Sequence, residues 1–458
     1  MRLTTRLTRV AVATAALALT VPTAAVAADY PGPASPGKVK PRPGGGKTFK
    51  VCTVKQAKAL RSARRGAKKP NCSPTIQAAV DQTLPGDTVK VPPGTYRETV
   101  TISGHRHDNI KLIGSPGNPR RTVLALASLS KAERQNGVMV NGADGVTING
   151  FYARDYLGNG FFAIRVNGYK FTNLVAGWGG TYGIYAFHSK GGEMSNSEAF
   201  YNNDAGYYIG ETPPQSKPIR SVVKNVKAWG NQLGFSGTNM RYTTITKSQW
   251  YNNGLGIVPN ALDSEKYPPA DENVIVDNDI FWNNFNYFRG APFEVRQGAK
   301  GLSYPVGSGV LLYGSQNTTI ERNRVWGHFL VGIGAVDAIE LRDRDEAAIR
   351  GITVTDNVFG RDGTDLNNYD LFYPGTIRGT NTDNCFSGNV GVQKTLPLTG
   401  ATLKPCPFRG EIPIDNSAYI TAVNWLGDRT HEAAWVQHSH PPFEGITPLV
   451  HYTGPKKK

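Results

Sequence analysis

Arg165, His188, Glu211 and Asn239 each stand five residues after a glycine, those glycines being Gly160, Gly183, Gly206 and Gly234. A cation, an imidazole, a carboxylate and an amide at one offset form a single row if the segments that carry them stack. In such a row Arg165 could neutralise an anionic group, His188 or a neighbouring tyrosine could move a proton, and Glu211 could hold a cation or a hydroxyl. The same offset then passes to Ala261, Gly314 and Asp337. Strict strand alternation would turn offset five inward, so the row is useful only if a turn reorients it. A buried, hydrogen-bonded Arg–His–Glu row at a turn is the alternative.

The elements that must align these residues are short and repeated. Gly160 leads to Asn173 and Gly183 to Asn196, Gly234 leads to Lys247 at the same distance, and Gly309 leads to Asn323 one residue late. A period of about 23 residues, filled with β-rich runs between Asn and Gly turns, is the mark of a β-solenoid. Each repeat reads as three short strands and three turns. Asparagine tolerates the left-handed backbone of a tight bend, and stacked asparagines can hydrogen-bond along the axis. The expectation is one turn column holding Asn149, Asn173, Asn196, Asn225, Asn278, Asn323 and Asn357.

Offset one gives Phe161, Ile184, Tyr207, Phe235, Ile257, Val310 and Ile333, an inward apolar stack. Offset two faces outward and gives Phe162, Tyr185 and Tyr208, then Ser236 and Val258. Three exposed aromatics in a row would make a platform for sugar rings; an aromatic stack that only shields the sheet is the alternative. Arg165, His188, Tyr208 and Glu211 are therefore the catalytic candidates, with Phe162, Tyr185 and Asn239 as substrate-binding candidates. Hydrolysis would need two carboxyl groups about 5 to 9.5 Å apart. Glu211 and Asp337 lie four coils from each other, roughly 19 Å at the strand spacing, so loop acids such as Asp204, Asp263 or Glu294 would have to serve. His105 and His107 beside Asp108, and His431, His438 and His440 in the tail, lack the spacing that converges a metal site. Calcium is a candidate aid with no motif behind it.

Residues 1–27 read as a secretory leader, with Arg2, Arg6 and Arg9 before an apolar run and Ala25-Val26-Ala27 at the cleavage site. Residues 28–47 read as a Pro/Gly-rich mobile linker. No later apolar run reaches the ~20 residues of a membrane span. Lys and Arg number 51 against 35 Asp and Glu, and removal of the leader leaves roughly +13, a charge that favours polyanionic partners. Lys55, Lys58, Arg61, Arg65, Lys68 and Lys69 recur at near-helical spacing, as a face for anionic glycan or a solvated surface. The four cysteines fall into two local pairs, Cys52 with Cys72 and Cys385 with Cys406, at the two ends of the repeats. In an exported chain the short-loop pairing is the natural one.

The segment Ser73-Pro74-Thr75-Ile76-Gln77-Ala78-Ala79-Val80 reads as a short helix with an N-cap at Ser73, and it runs into Gly86-Asp87-Thr88-Val89-Lys90-Val91-Pro92-Pro93-Gly94-Thr95-Tyr96. This string resembles the start of right-handed parallel β-helix proteins of the pectate-lyase-like superfamily, over roughly residues 73–389. The resemblance implies the fold and leaves the activity open, because lyases, hydrolases, epimerases and binding proteins share it. Asn381-Thr382-Asp383 looks like one polygalacturonase motif, but neither Gly-His-Gly nor Asp-Asp accompanies it.

The expected architecture is an all-β, right-handed parallel β-helix with an N-terminal cap helix. A basic segment and cap would fill residues 48–84, the solenoid 85–390 and a cap or extension 391–458. The leading functional expectation is a secreted, monomeric protein acting on acidic polysaccharide or cell-wall glycan by β-elimination or epimerisation at a uronic acid. A non-catalytic glycan-binding solenoid and a glycoside hydrolase are the alternatives. Nucleic acid is not an expected partner, as no reader motif is present.

Overall fold

Short β-branched and aromatic runs separated by Asn and Gly corners can bury their apolar residues only against copies of themselves. The computed structural model, which describes residues 39–62, 70–286, 305–361, 365–427 and 433–434, shows them doing so. The chain winds as a right-handed parallel β-helix. One face is an 11-stranded parallel sheet, which includes Asn136–Asn141, Asn159–Ile164, Tyr182–Phe187, Ala205–Gly210, Leu233–Thr238 and Leu255–Asn260. Two further runs of short parallel strands complete each coil. The register places Ile184 between Phe161 and Tyr207, and Tyr185 between Phe162 and Tyr208. The inward stack from Phe161 to Ile333 is buried to 2% exposure or less at every position.

The corners depend on left-handed backbone. Asn173, Asn196, Asn225, Lys247, Asp277, Arg322 and Asp356 all have φ between 51° and 56° or close to it, and the equivalent positions at the two ends are Gly150 and Gly388. The single asparagine column expected from the spacing is in fact two adjacent ones. Asn173, Asn196 and Asn225 occupy the left-handed position, whereas Asn278, Asn323 and Asn357 stand one residue later with side chains turned inward and fully buried. Asn149 pairs with Thr172, one place earlier. The inward asparagines form a ladder: Asn278 donates to Asn323 at 2.9 Å, Asn323 to Asn357 at 3.0 Å and Asn357 to Asn389 at 3.0 Å. Each carboxamide also takes the backbone N–H of the residue one coil back, so corner groups that no strand can satisfy find partners.

A second ladder runs up another corner through Asn202, Asn231, Asn253 and Asn283, with amide-to-carbonyl distances of 2.8 to 3.0 Å. His328 continues it. Its Nε2 accepts from Asn283 at 3.1 Å and its Nδ1 donates to Asn367 at 2.8 Å.

The ends are closed by disulfides Cys52–Cys72 and Cys385–Cys406. The helix Ile76–Val80 packs Ile76, Ala79 and Val80 inward, and its N-cap is Thr75 rather than Ser73, Thr75 accepting from the Ala78 N–H. Two expected boundaries shift. Thr48–Lys50 already pairs with Thr88–Lys90, and Thr395–Leu396 still belongs to the 11-stranded sheet. The linker reading fails at its C-terminal end, where Arg42 and the Lys47 N–H both hold Asp87. The leader, most of the linker, Arg65, Lys68, Lys69, Glu294, His431, His438 and His440 lie outside the described residues. No described helix is long and apolar enough to cross a membrane.

Candidate functional site

Where the strands Asn159–Ile164, Tyr182–Phe187, Ala205–Gly210 and Leu233–Thr238 end, the chain turns through a left-handed residue, and those residues are Arg165 (φ 55°), His188 (47°), Glu211 (48°) and Asn239 (50°). This is the reorientation that strict alternation forbids and that the row requires. Non-glycine side chains adopt this backbone at a cost, which asparagine and histidine bear more readily than arginine and glutamate. The preceding coil has Gly142 at the same place, also left-handed.

His188 and Glu211 are joined within the row. His188 Nδ1 lies 2.9 Å from Glu211 Oε1, and Glu211 Oε2 accepts the Lys266 N–H at 3.1 Å. Burial pushes the Glu211 carboxyl up, but the hydrogen bonds from His188 and Lys266 outweigh it and hold the group below its ordinary range. Arg165 donates to Asn141 Oδ1 at 2.9 Å. The His188 side chain is 30% exposed and that of Glu211 10%. With Nδ1 committed to the carboxylate, Nε2 is the nitrogen left to meet a ligand.

The aromatic column points out of the coil as expected but is not exposed: Phe162, Tyr185 and Tyr208 keep 3%, 7% and 2% of their surface. Phe162 stacks on Tyr185 with centroids 4.5 Å apart, and Tyr182 packs against both Tyr185 and Tyr208. The chain between Ala261 and Tyr267 then crosses this cluster as a strap. Its Glu265 accepts a hydrogen bond from the Tyr208 hydroxyl, while the second carboxyl oxygen is sealed from solvent. Burial, reinforced by nearby Glu211 and Asp204, pushes the Glu265 carboxyl up to about 8. Burial and the same carboxyl also raise the hydroxyls of Tyr208 and Tyr185 well above their ordinary value. Gly210 makes the room, since a methyl group there would stand 2.8 Å from Glu265 Oε2 and closer still to the Tyr208 ring.

Asn239, read as a substrate ligand, is fully buried and holds the strap. Its amide nitrogen donates to the carbonyls of Leu262, Glu265 and Lys266, and its oxygen accepts the Leu262 N–H. Tyr208 is likewise committed, to Glu265. Asp337, further along the offset, accepts three backbone N–H groups from Ile377, Arg378 and Gly379 and serves a turn. Of the loop acids, Asp204 is buried close to Glu265, and Asp263 is exposed and accepts the Arg342 N–H. Glu265 escaped the spacing argument because it sits in an insertion with no repeat phase. Its one sequence signal was the length of the 259–271 insertion after a row member. Near the N-terminus His105 pairs with Asp108 and His107 with Thr83. Among the described residues no group of three or more His, Cys, Asp or Glu side chains is arranged to hold a metal ion.

No family model and no curated protein matches the chain. Among solved structures it is similar to the A-module of mannuronan C-5 epimerase AlgE4 from Azotobacter vinelandii, at 15% identity over 75% of this chain and 95% of that one, with a TM-score of 0.47. The A-module of AlgE6 from the same organism is similar at 19% identity over 69% and 89%, with a TM-score of 0.47. An alginate lyase from Paenibacillus sp. str. FPU-7 is similar at 16% identity over 75% and 98%, with a TM-score of 0.43.

Proposed function

We propose that the protein is an exported enzyme that acts on an acidic polysaccharide, removing the proton beside a uronic-acid carboxylate and so catalysing β-elimination or epimerisation. The observation that carries this reading is the Arg165–His188–Glu211 row, with unlike charges on consecutive coils and the imidazole fixed by a carboxylate at 2.9 Å. Arg165 pairs with the sugar carboxylate, which stabilises the negative charge that develops when the adjacent carbon loses its proton. His188 Nε2 takes that proton, and Glu211 stabilises the resulting imidazolium. Delivery of a solvent proton to the opposite face of the carbanion, with His188 giving up its own proton to water, gives the epimer; transfer of the proton from His188 to the departing glycosidic oxygen gives an unsaturated chain end and a free hydroxyl on the other fragment. The disulfides and the leader read in residues 1–27 support export.

A panel of polyuronates tests this by ultraviolet absorbance for unsaturated ends and by solvent hydrogen exchange at the acidic carbon for epimerisation. His188→Ala and Arg165→Ala should each lower turnover by about a hundredfold or more with little change in melting temperature. If both variants merely melt earlier while turnover per folded molecule is kept, the row is structural. New reducing ends without unsaturation would instead select a hydrolase.

A further inference from the structure

The row lies along the solenoid axis, one residue per coil at roughly 4.8 Å, and its two directions are built differently. Toward the N-terminus the corners are short. Five residues separate Asn141 from Thr147, Ile164 from Lys170 and Phe187 from Glu193, and the corner positions beyond Arg165 are Gly142 and Gly104. Toward the C-terminus two corners are longer, with ten residues between Gly210 and Ser221 and nine between Asn260 and Ala270, while the corner between them, from Thr238 to Thr243, keeps four. The second of the longer two is the strap, and it comes to rest beside the row itself. The Tyr267 ring lies 5.7 Å from the His188 ring, and the Lys266 N–H is bonded to Glu211.

The strap is a fixed wall, fastened along its length. Asn239 holds three of its carbonyls and one N–H, Tyr208 holds Glu265, and Arg241 donates to Pro268 O at 3.1 Å while pairing with Asp271 at 2.6 Å. Behind it, Ala261 packs with Ala338, Leu341 and Ala347 of the next insertion, and Asp263 takes the Arg342 N–H. Lifting it would break all of these bonds and expose Tyr208.

We propose that the 261–267 strap dams the groove immediately beyond His188, so that the site receives the end of a polysaccharide chain and not its middle. This rests on the acidic-polysaccharide reading above. A chain laid along the row from the N-terminal side meets Tyr267 and Lys266 after passing His188, and no sugar unit can continue along the axis. Chemistry at His188 is then confined to the first units of the chain.

Binding stoichiometry tests this without turnover. The His188→Ala protein is mixed with polyuronates of defined and increasing length, and the number of protein molecules bound per chain is measured by sedimentation. A dammed groove gives a number that stays constant as the chains lengthen. Two further variants on that background release the strap: Asn239→Ala, and residues 262–267 replaced by two glycines. At least one folded variant should show loading that rises with chain length. Length-dependent loading of the strapped protein would overturn the dam while leaving the polysaccharide reading intact. Constant loading in the folded strap-released variants would show that the strap is not the barrier. No binding to any polyuronate would overturn the substrate reading and this inference together.

Discussion

Glu265 illustrates how far a single side chain can be moved by its surroundings. Burial raises its carboxyl to about 8, and the Tyr208 hydrogen bond only partly offsets that. A carboxyl raised above its unfolded value stabilises the fold fully below the ordinary range near 4.5 and loses that contribution as pH climbs through about 8. Melting temperature should therefore fall between about pH 5 and pH 9. Glu265→Gln, which keeps an oxygen for Tyr208 and never ionises, should match the parent near pH 5 and exceed it near pH 9. Parallel curves for the two proteins would show that the strap does not hold a protonated acid. Gly210→Ala probes the same contact sterically and should dislodge the strap, read as loss of hydrogen-exchange protection at the Lys266 amide.

At the scale of elements, the buried ladders decide what the corners tolerate. His328 fills a place that asparagines hold in neighbouring coils, and burial lowers its ring to about 4. A histidine depressed below its unfolded value near 6.5 contributes stability that is present above that pH and is lost as pH falls through about 4. His328→Asn should restore an amide rung, leave stability near pH 7 within about 1 kcal/mol, and flatten the decline between pH 6.5 and 4. Thermal melts across that range check it, and an unchanged acid slope would assign the decline elsewhere. The ladders also show what the sequence could and could not convey. Phe161, Tyr185 and their equivalents were legible because strand alternation fixes which way they face. The asparagines were ambiguous because the residue type suits both a left-handed corner and an inward rung, and only the one-residue delay at Asn323 hinted at two columns. The offset of Arg165, His188 and Glu211 was legible too. That Asn239 and Tyr208 hold a strap was not, because strap residues carry no repeat phase.

For the whole molecule, each coil touches only its neighbours, so stability is close to a sum of local terms and the ends are the places to fray. Cys385–Cys406 closes a sequence separation of 21 residues beside the last coils, and loss of such a link costs about 3 kcal/mol in the chain-entropy model. Serine at both positions should release protection of amides near Thr353 and Cys385 while those of the central Asn231–Asn253 rungs stay unchanged. Uniform loss along the solenoid would mean that it unfolds as one cooperative unit.

The rungs of the second ladder are separated in sequence by 29, 22, 30 and 45 residues, yet their side chains meet at 2.8 to 3.1 Å. Contour length and spatial register are thus decoupled: a coil can gain a score of residues at a corner and still present its amide to the next rung. Such a scaffold is open to genetic change in a particular way. Insertions at corners alter what borders the groove without disturbing the core, whereas a single residue added within a strand flips every side chain after it to the opposite face. Lineages carrying this solenoid should therefore diverge first in the strap and its neighbouring insertions, while the coil that supports them stays the same.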